Sequence, residues 1–406
     1  MSKNELPLAG VRVAEFSHMV MGPTCGLVLG DLGADVVKVE PNPAGDHTRR
    51  VPGSGAGFFV MFNRNKRSLA LNLKSSEGLE IARRLVRRSD VLIENFRPGA
   101  MDKLGLGYEA MKADNPGLIY TSAKGFLPGP YEHRTALDEV VQMMTGLAFM
   151  TGPRGRPLRV GASVNDIMGG MFAAIAVLAA LKERDRTGKG QYVSSGLFEN
   201  CALLMGQNMA QYLVTGKPVP PMPDRLAAWS VYDVFDCAGG DQLFVGVVTD
   251  TQWRVFCEAF GFADFAADES LATNTQRCHA RDRIMPRLRE LFASMPRDVL
   301  AEKIAAIGLP YSPIAKPEDL IEDAHLKASG GLLPITLPDG RQVELPALPL
   351  SMGGRRFGIH HDVPRVGEHA SEVLDELGYD ADAIRDLEAR GIIGLDPGSP
   401  ATRAAE

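Results

Sequence analysis

The chain has 406 residues, of which 45% are hydrophobic and 23% are charged, and its formal net charge is −6. This length predicts two or three domains of ordinary globular composition, because one compact core does not grow this large. The acidic balance argues against nucleic acid as the main partner, since neutralising phosphates usually takes a clustered basic surface. It leaves room for a local basic pocket that binds one phosphorylated ligand.

Cysteine spacing and hydropathy indicate the cellular location of the protein. The five cysteines are far apart and include no CxxC pair, so they predict neither disulfides nor a zinc site. His360 and His361 lack further ligands at metal spacing, and we expect no metal. The first residues lack the apolar run of a signal peptide. The longest apolar stretch, residues 167–181, is shorter than the roughly 18 residues of a membrane span. We therefore expect a cytoplasmic protein without membrane contact.

Strand and helix patterns alternate through the first part of the chain. Strands separated by helices of ordinary length imply βαβ units and a parallel sheet with helices on its faces. Ligands of such a sheet bind at the carboxyl ends of its strands. Strands are predicted at residues 11–16, 35–40, 69–73, 91–94 and 118–122, and helices at 23–32 and 77–88.

The pattern changes after the fifth strand. The Pro-rich segment 216–225 is the clearest linker, and residues 396–406 are predicted to be frayed. A turn of sequence CAGGD predicts a hairpin beyond the linker. The remaining predictions are a long apolar helix at 163–183, a strand at 191–196, a helix at 197–213, hairpin strands at 231–235 and 242–248, short helices over 252–307, mostly strands and turns over 320–360, and helices at 370–378 and 381–390.

The turn after the first strand is the first candidate site. Gly22 and Pro23 open a helix there, and proline suits the first helical position. A helix N-terminus attracts phosphates. The glycine spacing does not match GxGxxG, which argues against a nicotinamide cofactor. Taken alone, the segment fits a tight turn without a ligand equally well.

The loop after the fourth strand, residues 94–108, is the second candidate. It brings Asn95, Phe96, Arg97 and Lys103 to the ligand-binding edge of the sheet. An aromatic ring for adenine and two cations for phosphates suit a nucleotide-type ligand. Composition alone favours the alternative of an exposed loop whose cations are solvated.

Asp166 is the third candidate, because it opens a helix whose next fifteen residues carry no charge. Spacing alone favours a structural role, since Ser163-x-x-Asp166 fits a capping box. Burial would have to raise an ordinary aspartate pKa of about 3.9 by about three units to neutralise the group at pH 7. We therefore expect an ionised carboxylate, which is the form that a nucleophile requires.

Several segments, in the same order along the chain, resemble the class III CoA-transferases, and together they are more specific than any single motif. The resemblance covers nearly the whole chain. The matching segments are 8–40, GDHTR at 45–49, NRNKRSLALNLKSSEG at 63–78, ENFRPGAMDKLGLGY at 94–108, DRTGKGQYV at 185–193 and VPRVGEHASEVLDELGY at 363–379.

The resemblance implies an α/β fold with a Rossmann-like large domain, built on a parallel sheet, and a smaller α+β domain. The large domain would comprise residues 1–215 and a returning C-terminal segment, 326–406. The linker and small domain would occupy residues 216–325. Two such chains would interlock as a homodimer. The substrates would be an acyl-CoA thioester and a carboxylic acid, with coenzyme A as a substrate and no tightly bound cofactor.

The resemblance also implies the site residues. It assigns the catalytic aspartate of the family to Asp166, which overrides the capping alternative, and assigns a second active-site acid to Asp138. The residues that it brings beside CoA are His18, Val20, Met21, Leu71, Lys74, Asn95, Phe96, Arg97 and Lys103.

Three departures from formyl-CoA transferases put oxalate specificity in doubt. Val20 replaces a glutamine, and Pro41 replaces an arginine near the adenine nucleotide. The glycine-rich active-site loop is absent, and the Pro-rich linker with Arg225 takes its place. Because Arg225, Arg49 and Arg154 offer carboxylate partners, we expect a small dicarboxylate as the acceptor.

The resemblance implies a covalent mechanism through an aspartyl anhydride and an aspartyl-CoA thioester on Asp166. We expect backbone N–H groups near Gly169–Gly170, or in a facing loop, to hold the oxyanion. An α-methylacyl-CoA racemase is one alternative, but Leu137 occupies the place of its second acid–base residue and cannot exchange a proton. A protein that binds CoA without turnover is the other alternative.

Overall fold

The computed structural model describes residues 6–225 and 227–396. Its contacts divide the chain into two compact units. The first comprises Met1–Pro223 and Ala324–Glu406, and the second Asp224–Asp323. The predicted linker, residues 216–225, contains the first of these boundaries, whereas the predicted frayed end lies outside the described residues except for Asp396.

Twelve strands are described, and seven of them form the main sheet of the first unit. The strands are β1 Arg12–Phe16, β2 Asp35–Pro41, β3 Lys66–Leu71, β4 Val91–Glu94, β5 Ile119–Lys124, β6 Gln191–Gly196, β7 Val231–Asp236, β8 Gln242–Val247, β9 Tyr311–Pro313, β10 Leu332–Thr336, β11 Gln342–Pro346 and β12 Ile393–Gly394.

The main sheet has the order β12-β3-β2-β1-β4-β5-β6. Its first six strands along the chain pair in parallel, and only the short β12 is antiparallel to its neighbour β3. The predicted parallel sheet is confirmed. Parallel strands direct their carboxyl ends to one edge, so the segments after β1, β3 and β4 all emerge there.

Eighteen helices accompany the strands in the described residues. They are α1 Met21–Asp31, α2 Phe58–Phe62, α3 Ser76–Arg87, α4 Ala100–Lys103, α5 Tyr108–Asp114, α6 Asp138–Met144, α7 Leu147–Thr151, α8 Val164–Thr187, α9 Leu197–Leu204, α10 Gly206–Thr215, α11 Asp250–Phe260, α12 Ala263–Ala267, α13 Asn274–His279, α14 Arg281–Ala293, α15 Arg297–Ala306, α16 Ala324–Ala328, α17 Ala370–Glu376 and α18 Ala381–Ala389.

One helix prediction is wrong. The single helix predicted at 197–213 is two helices, α9 and α10, which are separated at Met205. Gly206 follows directly, and glycine is a poor helix former. The region 320–360 is predicted to be mostly strand and turn, and it holds the antiparallel pair β10–β11 after the short helix α16.

Apolar side chains bury the two faces of the main sheet separately. One face packs against α3, α5 and the C-terminal helices α17 and α18, and Leu69, Ile81 and Leu374 lie at its centre. The other face packs against α1 and α8 through Leu29 and Val177. The C-terminal helices therefore complete the core of the first unit.

Helix α8 is the one helix in the described part of the chain that is long and apolar enough, by length and composition, to cross a membrane. An 18-residue window of it has a mean hydropathy of 1.8, which overturns the argument that the apolar stretch is too short. Of that window, 44% is buried, and the helix contacts α1, β5 and β6. The core helix of a soluble protein also passes this test of length and hydropathy, so α8 is only weak evidence for a membrane span.

The second unit is built on the three-stranded sheet β7-β8-β9. Strands β7 and β8 pair antiparallel, as the hairpin prediction requires. Helices α11 to α15 supply an aromatic-rich core in which Phe235, Phe256 and Phe292 pack edge to face. This unit therefore has its own hydrophobic core.

Candidate active site

The turn after β1 and the loop after β4 are joined at the carboxyl edge of the sheet. The side chain of Asn95 accepts a hydrogen bond from the His18 N–H (3.0 Å) and donates one to the His18 carbonyl (2.8 Å). The His18 ring stacks on Phe96, with ring centroids 5.8 Å apart. Because β1 and β4 are neighbours, the structure brings these three predicted site residues together.

Buried charges beneath this turn fix its backbone. Lys38 donates to the Ser17 carbonyl (2.7 Å) and pairs with Asp46 (3.0 Å). Asp46 in turn accepts from Thr48, whose hydroxyl accepts the Met19 N–H (2.9 Å). Met19 has a φ of 62°, which is costly for a non-glycine residue and persists only where its surroundings hold it. The GDHTR segment thus orders the turn that carries His18.

The charges around this turn also set its protonation. Although burial opposes ionisation, the Lys38 ammonium and the hydrogen bonds from Thr48 lower the pKa of Asp46 to about 2. Burial lowers the pKa of His18 below its ordinary value, while Asp46 opposes the change. At neutral pH the His18 imidazole is therefore uncharged.

Asp166 lies in the first turn of α8, but the predicted capping box is wrong. Ser163 precedes the helix and makes no side-chain capping bond. The cap comes from Asp138, the first residue of α6, whose Oδ2 accepts the N–H groups of Asn165 (2.8 Å) and Asp166 (3.1 Å). The Asp166 carboxylate has no hydrogen-bond partner within the described ranges, so its oxygens are available to a ligand.

The expected charge state of Asp166 needs correction. Burial raises the pKa of Asp166 to about 7, the Asp138 carboxylate adds to the rise, and the Arg159 guanidinium opposes it. Near pH 7 the protonated and ionised forms are therefore present in similar amounts. The family resemblance had assigned Asp138 to the active site, but local sequence pattern showed neither its effect on the pKa of Asp166 nor the desolvation of the site.

Two glycines bring α8 close to α1. A Cβ added to Gly170 would lie 2.4 Å from the Met21 carbonyl oxygen, and one added to Gly169 would lie 2.5 Å from the Met21 Cε. One turn earlier, Ile167 packs against Val20. Both glycines lie inside α8, where the helix uses their own N–H groups, so the oxyanion donors, near this turn or in a facing loop, stay a prediction. The glycines bring Asp166 beside the turn after β1.

The other predicted CoA neighbours differ in exposure. The side chains of Val20, Met21 and Leu71 are buried in the protein, so a ligand would meet only their backbone. The cations on the loops after β3 and β4 are exposed instead. These exposed residues are Lys74, Arg97 and Lys103.

Of the three arginines expected to bind a dicarboxylate, Arg49 is committed elsewhere. It forms an ion pair with Glu40 (2.6 Å), and its guanidinium lies over the Phe59 ring. Arg154 is exposed in the first unit, and Arg225 belongs to the second unit. Arg159, which sequence reasoning missed, is the arginine whose charge acts on Asp166.

A cavity of about 440 Å³ lies beside β4, β5 and β6, and Glu94 at the carboxyl end of β4 lines it together with Arg97. Its other lining residues include Tyr120, Lys124 and Tyr192. Lys124 pairs with Glu94 (2.7 Å), which also accepts the Phe96 N–H (2.9 Å). Sequence reasoning missed Lys124, because a lysine at the end of a strand usually signals only a solvated position.

The side chains that commonly bind metals do not cluster in the described chain. No group of three or more His, Cys, Asp or Glu side chains that could hold a metal ion is found among residues 6–225 and 227–396.

Fold and site together define an α/β protein with a partly buried carboxylate, without a hydrogen-bond partner among residues 6–225 and 227–396, beside an edge that carries cations and an aromatic ring. Residues 8–370 match the model of CoA-transferase family III, and the chain belongs to that family. The predicted family and the predicted enzyme class, a CoA-transferase, are confirmed.

Individual relatives agree with this assignment. The chain is 35% identical over 391 residues to a succinate–glutarate CoA-transferase of Agrobacterium fabrum, covering 93% of this chain and 97% of the relative. It is 32% identical to a succinyl-CoA:glutarate CoA-transferase of Mus musculus, covering 95% and 90%. The crystal structure of a CAIB/BAIF family protein from Brucella suis matches with a TM-score of 0.81 and 35% identity, covering 92% of this chain and 99% of that one.

Proposed function

We propose that this CoA-transferase moves CoA from an acyl-CoA thioester to a small free dicarboxylic acid, with Asp166 as the covalent nucleophile. The observation that carries the proposal is the Asp166 carboxylate, which is partly buried, partnerless within the described ranges and close to the turn after β1. The relatives from Agrobacterium fabrum and Mus musculus, which are CoA-transferases of succinate and glutarate, support a dicarboxylate such as glutarate.

The proposed chemistry conserves the energy of the thioester. An oxygen of Asp166 attacks the donor carbonyl, the carbon–sulfur bond breaks, and an aspartyl–acyl anhydride and a CoA thiolate form. The thiolate attacks the Asp166 carbonyl, which releases the donor acid and leaves an aspartyl-CoA thioester. The acceptor carboxylate then repeats these steps in reverse. Every step exchanges one nucleophile for another, so no proton is needed, but water must be excluded from the anhydride.

This chemistry requires the ionised form of Asp166. Since burial and Asp138 raise the pKa of Asp166 to about 7, we expect kcat/KM to rise with pH through that value and then to level off. A higher pKa also makes the ionised carboxylate of Asp166 more basic, and therefore a stronger nucleophile toward the donor carbonyl.

The CoA site is proposed along the carboxyl edge of the sheet. The stacked rings of His18 and Phe96 suit the apolar and planar parts of CoA, while Lys74, Arg97 and Lys103 are exposed cations at that edge. Val20, Met21 and Leu71 would contribute backbone atoms, as their side chains are buried.

A transfer assay tests the function. The enzyme is mixed with succinyl-CoA and a panel of free acids that includes glutarate and oxalate, and new CoA thioesters are identified by mass spectrometry. We expect dicarboxylates to become thioesters, with oxalate a poor acceptor. Loss of stereochemical purity in a 2-methylacyl-CoA without exchange would indicate a racemase instead. Binding of CoA with neither reaction would indicate the non-catalytic alternative.

We also propose an interlocked homodimer with Rossmann-like large domains. Large apolar side chains remain exposed on α6, on the residue that precedes it, and on α9 and α10, and α10 buries none of its residues within the described chain. Apolar patches of this size usually mark an interface. The exposed residues are Leu137, Met143, Leu203, Met209, Tyr212, Leu213 and Val214.

Sedimentation velocity in dilute buffer is expected to give twice the chain mass of 43.8 kDa. Leu213→Asp should shift the sedimenting species toward the monomer, because a charge buried at an interface costs several kcal/mol when unpaired. A stable wild-type monomer would contradict the dimer. We also propose a cytoplasmic location, which the five buried free cysteines support.

A further inference from the structure

The carboxylate of Asp138 is fully engaged with protein groups. Its Oδ2 accepts the backbone N–H groups of Asn165 and Asp166, and its Oδ1 accepts the side-chain amide of Gln142. Asp138 is buried and lies 28 residues before Asp166 along the chain. A carboxylate with both oxygens occupied is poorly placed to exchange a proton with a substrate or to attack one.

Gln142 explains how Asp138 keeps this orientation. It is completely buried on α6, one helical turn after Asp138. Its Nε2 donates to Asp138, and its Oε1 accepts the Val160 N–H (2.9 Å). An amide offers a donor and an acceptor on opposite atoms, so Gln142 fits only if its nitrogen faces Asp138. The pair therefore links α6, the segment before α8 and the first turn of α8.

We propose that Asp138 and Gln142 are positioning residues for the nucleophile. They hold the first turn of α8 so that the Asp166 carboxylate presents a free oxygen to the donor thioester, and neither side chain touches the substrate. This inference rests on the proposed function, because it takes Asp166 as the nucleophile. It assigns Asp138 a role different from the catalytic one that the family resemblance implied.

The positioning role of Asp138 and Gln142 can be measured through the charges that act on Asp166. The groups whose charges act on it are Asp138 from α6 and Arg159 from the segment before α8. Arg159 is itself paired with Glu139. Cys201 from α9 also lies close to Asp138, and its pKa is raised by burial. Moving the negative charge from residue 138 to residue 142 takes it away from Asp166, while the other groups stay unchanged.

Exchanging the two functional groups provides the experiment. In Asp138→Asn, an amide NH₂ faces the NH₂ of Gln142, and in Gln142→Glu two carboxylates face each other. Each single variant should lower kcat about 100-fold, because a shift of about 1 Å at a nucleophile costs that much, with KM for the CoA thioester changed less than threefold. In the double variant, the amide introduced at position 138 would donate to the carboxylate introduced at position 142. That carboxylate would still accept the Val160 N–H.

The double variant should therefore recover kcat to within about tenfold of the wild type. The midpoint of its kcat/KM profile should lie at lower pH than in the wild type, since the second carboxylate is farther from Asp166. Gln342→Glu makes the same chemical change on an exposed residue of β11 and should alter neither quantity. Single variants as active as the wild type, or a folded double variant no more active than they are, would overturn the proposal.

Hydrogen exchange measured by mass spectrometry separates this proposal from the function itself. The N–H groups of Asn165 and Asp166 should exchange faster in each single variant and at the wild-type rate in the double variant, whatever the enzyme catalyses. Unchanged exchange in the single variants would overturn the positioning role even if transfer occurs. Absence of CoA transfer by the wild type would overturn the proposed function and, with it, the role of these residues in catalysis.

Discussion

Replacing Asp166 by asparagine is expected to lower kcat for CoA transfer by about 10³-fold or more, a loss typical of removing a covalent nucleophile. Asparagine has almost the size of aspartate, but its neutral amide oxygen cannot form the anhydride that the proposed reaction needs. Asp166→Ala should be equally inactive. Both variants should fold and bind CoA, because the cap of α8 comes from Asp138 rather than from the side chain of Asp166.

A structural role for Asp166 gives the opposite result. If the residue only stabilised the start of α8, asparagine would be nearly silent and alanine would cost about 0.5–2 kcal/mol of stability with activity retained. Removal of a carboxyl group whose pKa is raised to about 7 by burial should, if anything, stabilise the folded state. The Asn variant therefore distinguishes the two roles by activity, and the Ala variant by its free energy of unfolding.

The measurement combines kinetics with trapping. Hydroxylamine added during turnover should modify Asp166 in the wild type, because an aspartyl thioester reacts with it, and peptide mass identifies the adduct. Lys103→Ala is the matched control on the ligand side: it should raise KM for the CoA thioester more than it lowers kcat. Normal turnover without an adduct at Asp166 would contradict the covalent route. A fully active Asp166→Asn enzyme, checked for deamidation, would refute the nucleophile.

The environment of Asp166 shows what one sequence can and cannot predict. The long apolar helix and the aspartate at its start were readable from local pattern. The partner that caps the helix was not, because Asp138 lies 28 residues earlier and its contact depends on the packing of α6 against α8. The pKa of Asp166 could not be predicted for the same reason. It depends on burial and on a second carboxylate, and neither has a local sequence signal.

Strand β3 shows a similar limit in the fold. The pattern predicted it at 69–73, where apolar residues begin, but it spans Lys66–Leu71. Lys66 is fully buried and pairs with Glu15 (2.8 Å) on β1. Charged residues normally mark solvent-exposed positions, so a strand that begins with paired charges escapes a hydropathy pattern. The alternation of strands and helices nevertheless predicted the parallel sheet, because the βαβ unit needs only elements of the right length.

Gly170→Ala is expected to lower both stability and kcat, which tests how Asp166 is brought to the turn after β1. The added Cβ would lie 2.4 Å from the Met21 carbonyl oxygen and 2.5 Å from the Thr24 Cβ. Alanine is the better helix former by about 1 kcal/mol, whereas overpacking usually costs about 1–3 kcal/mol. The Met21 carbonyl oxygen belongs to the backbone of α1, and the Thr24 Cβ is bonded directly to that backbone. Neither atom can rotate away, so we expect the cost of overpacking to prevail.

The kinetic effect of Gly170→Ala should exceed its effect on stability. Asp166 lies one helical turn before Gly170, so it moves when α8 is separated from α1. A displacement of about 1 Å at a reacting group lowers kcat about 100-fold. Gly169→Ala should cost less, because its Cβ meets the movable ends of the Met21 and Asn200 side chains. Gly57→Ala, where a Cβ meets nothing within 4 Å, is the control. Thermal unfolding and kcat are compared across the three variants. A Gly170→Ala enzyme that is as stable and active as Gly57→Ala would show that close packing of α1 and α8 does not set the position of Asp166.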